Sequence, residues 1–206
     1  MAKARKSASS DALTDLLYQS LETELGGVEI YNVALECARN DELREEWEEY
    51  LEQTEHHVEV IRGVCEAFGL DPEKDTPGRK VVRHIGEALV ESMRMALKSG
   101  TPEAAELVAC ECVVLAETKD HMNWSLLGQV ARTLEGAEKE SLTEAHGEVE
   151  DEEDEHLYHT TGWARELWFQ ALGMDAELPP PEEEEDVESA EEAAQVKKKS
   201  VASRAK

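Results

Sequence analysis

Carboxylates and histidines interrupt the apolar stripes of four predicted helices, each close to the middle of its helix. A carboxylate in the core of a helix bundle costs several kcal/mol unless it forms an ion pair or binds a metal. Carboxylate oxygens and imidazole nitrogens together suit iron or manganese. The pattern therefore predicts a metal site between the helices, with at least one ligand from each. The predicted ligands are Glu24, His57, Glu117, Glu153 and His156.

Helical spacing places these side chains on buried faces. In the first helix, Glu24 lies seven residues from both Leu17 and Tyr31, on an otherwise apolar heptad-like stripe. In the fourth helix, Glu153 and His156 are three residues apart, so both side chains lie on one face and can reach the same ion. A buried salt bridge is the alternative for Glu24, and a solvated acidic face is the alternative for Glu153 and His156.

The ligands from the second and third helices have competitors close by. His57 borders the apolar stripe of the second helix, and its neighbour His56 is predicted to be exposed. In the third helix, Glu117 competes with Glu111, which also lies beside the buried face. Two further histidines can be ligands, packed core residues or groups that hydrogen-bond to the ligands. They are His121 and His159.

The composition indicates an all-helical protein with a strongly solvated surface. Of the 206 residues, 33% are charged and only 5% are aromatic, and no strong alternating strand pattern is present. The net charge of -27 disfavours nucleic acid and anionic membranes as partners and favours cations. No apolar run approaches the roughly 18 residues of a membrane span, and no secretory signal is recognisable. We expect a cytoplasmic protein that binds metal ions; a homodimer remains an open alternative.

Capping residues predict five helices. Ser10 and Asp11 can cap the first helix. A short turn at Asn40–Asp41 separates it from the second helix, which Asp41 can cap. The pairs Thr76–Pro77 and Thr101–Pro102 each combine an N-cap with proline at the first helical position. Glycines follow the predicted helix ends. The predicted helices span residues 11–39, 42–68, 77–99, 102–135 and 137–172.

These helices predict one domain over residues 11–173. The short turns at 40 and 136 join antiparallel neighbours, and the helix over 77–99 lies in the long connection between the two pairs. Residues 1–10 are predicted to be flexible. Three prolines after Leu178 break any helix, and acidic and lysine runs follow, so residues 174–206 are predicted to form an extended or disordered charged tail.

At the residues named above, the chain resembles the ferritin-like superfamily, which includes the rubrerythrins and manganese catalases. The resemblance covers residues 11–173 and implies an antiparallel four-helix bundle with a long, helix-containing crossover between the second and third core helices. Family members use one carboxylate from the first helix, Glu-x-x-His from the second, a carboxylate from the third and Glu-x-x-His from the fourth. The corresponding residues here are Glu24, His57, Glu117, Glu153 and His156, with Tyr31 one heptad after the first.

The second helix departs from the family pattern. Residues 54–57 read Thr-Glu-His-His, so Thr54 stands where family members have a bridging glutamate. Glu52 or Glu55 can substitute after a small rotation of the helix; otherwise the site holds one metal or none. Two glycines, Gly26–Gly27, allow either a close approach of a neighbouring helix or a local irregularity beside the site.

The resemblance implies a metal-dependent oxidoreductase that oxidises Fe(II) or handles peroxide, with one or two ions of iron or manganese. Glu153 then binds metal or transfers protons, and Tyr31 is a candidate redox-active neighbour. The alternative is a metal-free bundle used for dimerisation or partner binding. In that case the core acids are held in salt bridges, for example with Arg83, Arg94 or Arg165.

Overall fold

The computed structural model describes residues 2–204, with the side chains of residues 11–200. Within this part of the chain every regular element is a helix, which confirms the all-α prediction. None of these helices is both long and apolar enough to cross a membrane. The helices are α1 (Ala2–Cys37), α2 (Asp41–Ala67), α3 (Pro77–Ser99), α4 (Pro102–Ala131), α5 (Gly136–Ala171), α6 (Pro181–Glu184) and α7 (Ala190–Arg204).

The capping residues act largely as the sequence indicates. Thr76 and Thr101 accept hydrogen bonds from N–H groups in the first turns of α3 and α4, and proline follows each of them. Asn40, rather than Asp41, caps α2, because its Oδ1 accepts from the two N–H groups that follow Asp41, at 2.8 and 3.2 Å. Gly69 adopts φ of 68° after α2, a left-handed conformation that a side chain would strain.

Both ends of the chain contain more helix than the sequence predicts. Helix α1 begins at Ala2 rather than near residue 11. Residues 1–10 are predicted to be flexible, and their side chains lie outside the part of the chain that the structure describes. After Gly173, where an extended or disordered tail is predicted, the structure has α6 and α7. Arg165 of α5 donates two hydrogen bonds to the carboxylate of Glu182, so this segment packs against α5.

Four of the long helices form a ring of neighbours. Helix α1 packs against α2 and α4, and α5 packs against α2 and α4. Glu106, near the start of α4, accepts a hydrogen bond from the N–H of Arg39, just after the end of α1. Asn123, near the end of α4, donates to Thr23 in the middle of α1, so α1 and α4 are antiparallel. Helix α3 lies outside the ring, against α1 and α4.

The interior of this ring has two apolar clusters with a polar layer between them. One cluster includes Trp47 and Trp163, and we call it the Trp47 cluster. The other includes Leu21, Ile61 and Leu127, and we call it the Leu21 cluster. All four helices contribute to both clusters, so the polar layer is enclosed along the axis of the ring.

Candidate metal centre

The structure brings all five predicted ligands into the polar layer. Ligand atoms of Glu24, His57 and Glu153 lie within 4.8 Å of one another. Ligand atoms of Glu117, Glu153 and His156 form a second such group, so Glu153 belongs to both. Each of the five side chains is buried, and none is more than 4% exposed. The spacing of the groups is compatible with one or two cations.

His57 presents its Nδ1 atom to the centre. This nitrogen lies 3.0 Å from Glu153 Oε1 and 3.8 Å from Glu24 Oε2. The other ring nitrogen, Nε2, lies 2.7 Å from a carboxylate oxygen of Glu152. Because a carboxylate only accepts, Nε2–H is the donor to Glu152, which leaves Nδ1 able to bind a cation. Such an outer hydrogen bond fixes the tautomer and the ring orientation of a metal-binding histidine.

His156 is arranged in the same way. Its Nε2 donates to the amide oxygen of Gln53 at 2.7 Å. Its Nδ1 faces Glu117 Oε2 at 3.8 Å and has no hydrogen-bond partner, although it is fully buried. The ring stacks on that of His57 with 5.7 Å between centroids. Both imidazoles therefore direct Nδ1 towards carboxylates of the centre. That of His57 lies within hydrogen-bond distance of Glu153, whereas that of His156 has no partner among the described residues.

Two carboxylates of the centre leave an oxygen without a hydrogen bond. Glu24 Oε1 accepts from the indole N–H of Trp124 at 2.6 Å, while its Oε2 has no partner. Glu153 Oε1 lies beside His57, and its Oε2 has no partner either. A buried polar atom without a partner costs about 1–3 kcal/mol, so several at one point make this centre a candidate cation site.

Asp120 is a fourth carboxylate of the centre, and the sequence analysis missed it. It is 4% exposed, lies three residues after Glu117 on α4, and its Oδ1 has no hydrogen-bond partner. The signal in the sequence is the 3–4 spacing of Val113, Glu117, Asp120 and Trp124, which places all four on one stripe. The adjacent His121 is the candidate that the sequence pattern favours at this turn.

The electrostatics of the centre favour a cation. Burial raises the pKa of the carboxyls of Glu24, Asp120 and Glu153 well above their usual range, and mutual repulsion adds to the shift. Burial likewise lowers the pKa of His57 to about 4, helped by the charge of His156. Among the described side chains, the ion pairs of Glu24, Glu117 and Glu153 involve histidine and neither arginine nor lysine. Asp120 forms no ion pair with a described residue, although the charge of Lys119 partly offsets the rise in its pKa. A divalent cation would supply the missing positive charge.

Thr54 packs beside the centre and does not face it. Its hydroxyl donates to the carbonyl of Tyr50 at 2.7 Å, within the same helix. A Cβ atom on Gly27 would lie 3.1 Å from the Thr54 methyl, so this glycine allows α1 and α2 to approach closely. Glu52 and Glu55, the substitutes that the sequence suggests for Thr54, are both exposed.

The competing residues lie elsewhere. Glu111 is exposed and accepts a hydrogen bond from Trp168 at 3.0 Å, which leaves Glu117 as the glutamate of α4 at the centre. His121 Nδ1 lies 3.0 Å from Asp154, outside the centre. His159 Nδ1 lies 3.0 Å from the hydroxyl of Tyr50 and 3.2 Å from Glu46. His56, as predicted, is exposed, and it pairs with Glu148 at 2.8 Å.

Two tyrosines pack against His156. The ring of Tyr50 lies 4.2 Å from the imidazole and that of Tyr31 lies 6.1 Å away, edge to face. Tyr31 is fully buried and its hydroxyl has no hydrogen-bond partner. Burial, and then the negative charge of Glu117, raises the pKa of Tyr31 well above its usual value. Tyr31 is therefore a neutral phenol next to His156, one of the predicted ligands.

Comparison with protein-family models, with curated proteins and with solved structures finds no match to this chain. What the centre binds is therefore inferred from its own geometry and chemistry.

Proposed function

We propose that this protein is a ferritin-like metalloprotein that binds iron or manganese between α1, α2, α4 and α5. The observation that carries the proposal is the convergence of four buried carboxylates and two imidazoles, with which no arginine or lysine among the described side chains forms an ion pair. Their atoms without hydrogen bonds are Glu24 Oε2, Asp120 Oδ1, Glu153 Oε2 and His156 Nδ1.

The helix arrangement supports this assignment. The short turns after α1 and α4 join antiparallel pairs, and α3 lies in the long connection between the pairs. With α1 antiparallel to both α2 and α4, helices α1 and α5 run in one direction and α2 and α4 in the other. An antiparallel bundle with one long crossover, bearing carboxylates and histidines at mid-length, is the ferritin-like arrangement.

The ligand set favours two ions. One position would be formed by Glu24 and His57 and the other by Glu117 and His156, with Glu153 reaching both. Asp120 would provide the fourth carboxylate, from α4 instead of α2. Thr54 then changes the source of that carboxylate without changing the total of four carboxylates and two histidines.

A redox-active ion bound here would supply the electron transfer for Fe(II) oxidation or peroxide handling. The chain's own residues orient the ligands: Glu152 and Gln53 hold the two imidazoles, and Trp124 holds Glu24. The Trp47 and Leu21 clusters exclude water along the axis of the ring. If Glu153 binds no ion through Oε2, that oxygen can hold a proton, and Tyr31 can donate one from its buried hydroxyl.

The alternative is a metal-free bundle whose core acids are held by arginines. Arg83 pairs with Glu22 at 2.6 Å, on the α3 side of α1. Arg165 pairs with Glu166 at 3.0 Å and with Glu182, at the tail. Arg94 lines a groove between α1 and α3. These positions do not favour the alternative, because the three arginines lie away from the carboxylates of the centre.

The test is metal content per chain, measured by elemental analysis after expression with iron and, separately, with manganese. We expect about two ions per wild-type chain and a clear loss in His57→Ala and in the double variant Glu24→Ala, His156→Ala. His56→Ala is the matched control, since this neighbouring histidine is exposed, and it should retain the wild-type content. Metal-free wild-type protein under both conditions would contradict the proposal and favour the structural bundle.

A further inference from the structure

A cavity of about 210 Å³ lies between α4, α5 and the start of α7. Its inner wall includes Glu153 and Trp124, which belong to or contact the proposed metal centre. Its outer wall includes His121 and Asp154, whose side chains are 31% and 18% exposed and lie 3.0 Å apart. The cavity thus connects the partly exposed face of α5 with the buried carboxylate of Glu153.

Glu153 gives this cavity a specific chemical character. The residue is only 2% exposed, it lines the cavity, and its Oε2 has no hydrogen-bond partner. A cation that reached the inner end of the cavity would meet this carboxylate before the other ligands.

A second acidic group lies outside the cavity. Carboxylate oxygens of Glu155, Asp186 and Glu188 are within 4.8 Å of one another. Glu155 follows Asp154 on α5, while the other two residues come from the segment between α6 and α7. Asp154, which precedes Glu155, lines the cavity, so this outer group lies close to the cavity wall. Ser189 and Ala190, the next residues along the chain, line the cavity itself.

We propose that this cavity is the path by which divalent cations reach the metal centre, with the acidic group of the tail at its outer end. The inference rests on the proposed function. Charges of one sign around a narrow opening concentrate counter-ions and accelerate their binding. The two apolar clusters close the other direction, along the axis of the ring. The tail therefore shapes the access path in addition to covering α5.

The test follows the binding of Co(II), whose visible absorption reports nitrogen and oxygen ligands, by rapid mixing and by equilibrium titration. Asp154→Asn removes a charge from the wall, and Ala190→Trp narrows the opening without changing any charge. Glu140→Gln is the control, since Glu140 is an exposed glutamate of α5 away from the cavity and its replacement changes the net charge equally.

We expect both cavity variants to bind Co(II) at least about tenfold more slowly than wild type. Their rates of Co(II) release should fall by the same factor. Stoichiometry and Kd should then match those of wild type, and Glu140→Gln should match wild type in rate. Unchanged rates with full stoichiometry would overturn the access path and leave the proposed function intact. A loss of affinity at an unchanged association rate would instead make Asp154 a ligand. Wild-type protein that binds no Co(II) would overturn both proposals.

Discussion

The carboxylate of Asp120 shares a buried layer with those of Glu24, Glu117 and Glu153, and its Oδ1 has no hydrogen bond. Asp120→Asn keeps the size of the side chain and removes its charge. We expect the metal-free variant to melt about 2–4 °C higher than wild type, if about 1 kcal/mol of repulsion is relieved. The rise in melting temperature on adding Mn(II) should be smaller than in wild type, because a ligand is lost.

Differential scanning calorimetry with chelator, and then with Mn(II), measures both effects. Asp151→Asn is the control, because Asp151 is exposed on α5. A destabilised metal-free variant with an unchanged response to Mn(II) would mean that Asp120 is a packing residue and no part of the centre.

Five residues of the centre could be predicted from the sequence because each lies on or beside an apolar stripe at mid-helix. They are Glu24, His57, Glu117, Glu153 and His156. Asp120 was not predicted because Glu117 and His121, in the same turn of α4, were the candidate ligands there. The outer hydrogen bonds of Glu152 and Gln53 could not be predicted. They join the neighbouring helices α2 and α5, and a contact between residues about 100 positions apart leaves no local periodicity in the sequence.

At the scale of elements, the approach of α1 to α2 depends on one of two adjacent glycines. A Cβ on Gly27 would lie 3.1 Å from the methyl of Thr54, whereas a Cβ on Gly26 would meet nothing within 4 Å. Gly26→Ala should therefore stabilise the protein by up to about 1 kcal/mol through helix propensity alone. Gly27→Ala should stabilise the protein less than Gly26→Ala, or destabilise it, because the new methyl group forces α1 and α2 apart at Thr54.

Thermal or urea unfolding of the two variants measures the difference. Thr54→Ser removes the opposing methyl, so in the double variant with Gly27→Ala the glycine replacement should become as favourable as Gly26→Ala. Equal effects of the two single replacements would show that the glycines are not distinguished by packing against α2.

The helix boundaries were largely predictable because threonine caps, prolines and glycines act within one turn of the chain. The helices of the tail were not predictable in this way. Helix α6 has four residues, and its position depends on the ion pair between Arg165 and Glu182 and on the burial of Val187. Such contacts follow from the packed form of α5 and leave no trace in the local composition, which is typical of a disordered segment.

At the scale of the whole molecule, a shared hydrogen bond joins the tail to the ring. The indole N–H of Trp163 donates to Glu46 at 2.5 Å and to Glu183 of α6 at 2.6 Å. Burial, and then the charge of Glu46, raises the pKa of Glu183 from 4.5 to about 8, and Glu42 contributes further repulsion. The pKa of Glu183 is higher in the folded state than in the unfolded state. The protonated Glu183 carboxyl therefore contributes fully to the free energy of unfolding below about pH 4.5, and this contribution is lost as the pH rises through 8.

We therefore expect wild-type protein to lose stability relative to Glu183→Gln between about pH 4.5 and about pH 8, since glutamine stays neutral throughout. Urea unfolding at several pH values gives the difference in free energy. Glu184→Gln, at the exposed neighbouring position, should follow the wild-type curve. Parallel curves for wild type and Glu183→Gln would mean that the contact does not depend on a proton.

The polar layer between the Trp47 and Leu21 clusters also has a consequence for how the helices align. If α4 slid by one heptad along its neighbours, Glu117 would move to the level of Cys110 or of Trp124, inside one of the apolar clusters. An uncompensated carboxylate there is strongly unfavourable. The layer thus specifies the helix register, as a single buried polar residue does in a coiled coil. The residues that would hold the ion therefore also disfavour alternative alignments of the four helices, in which their side chains would not lie in one layer.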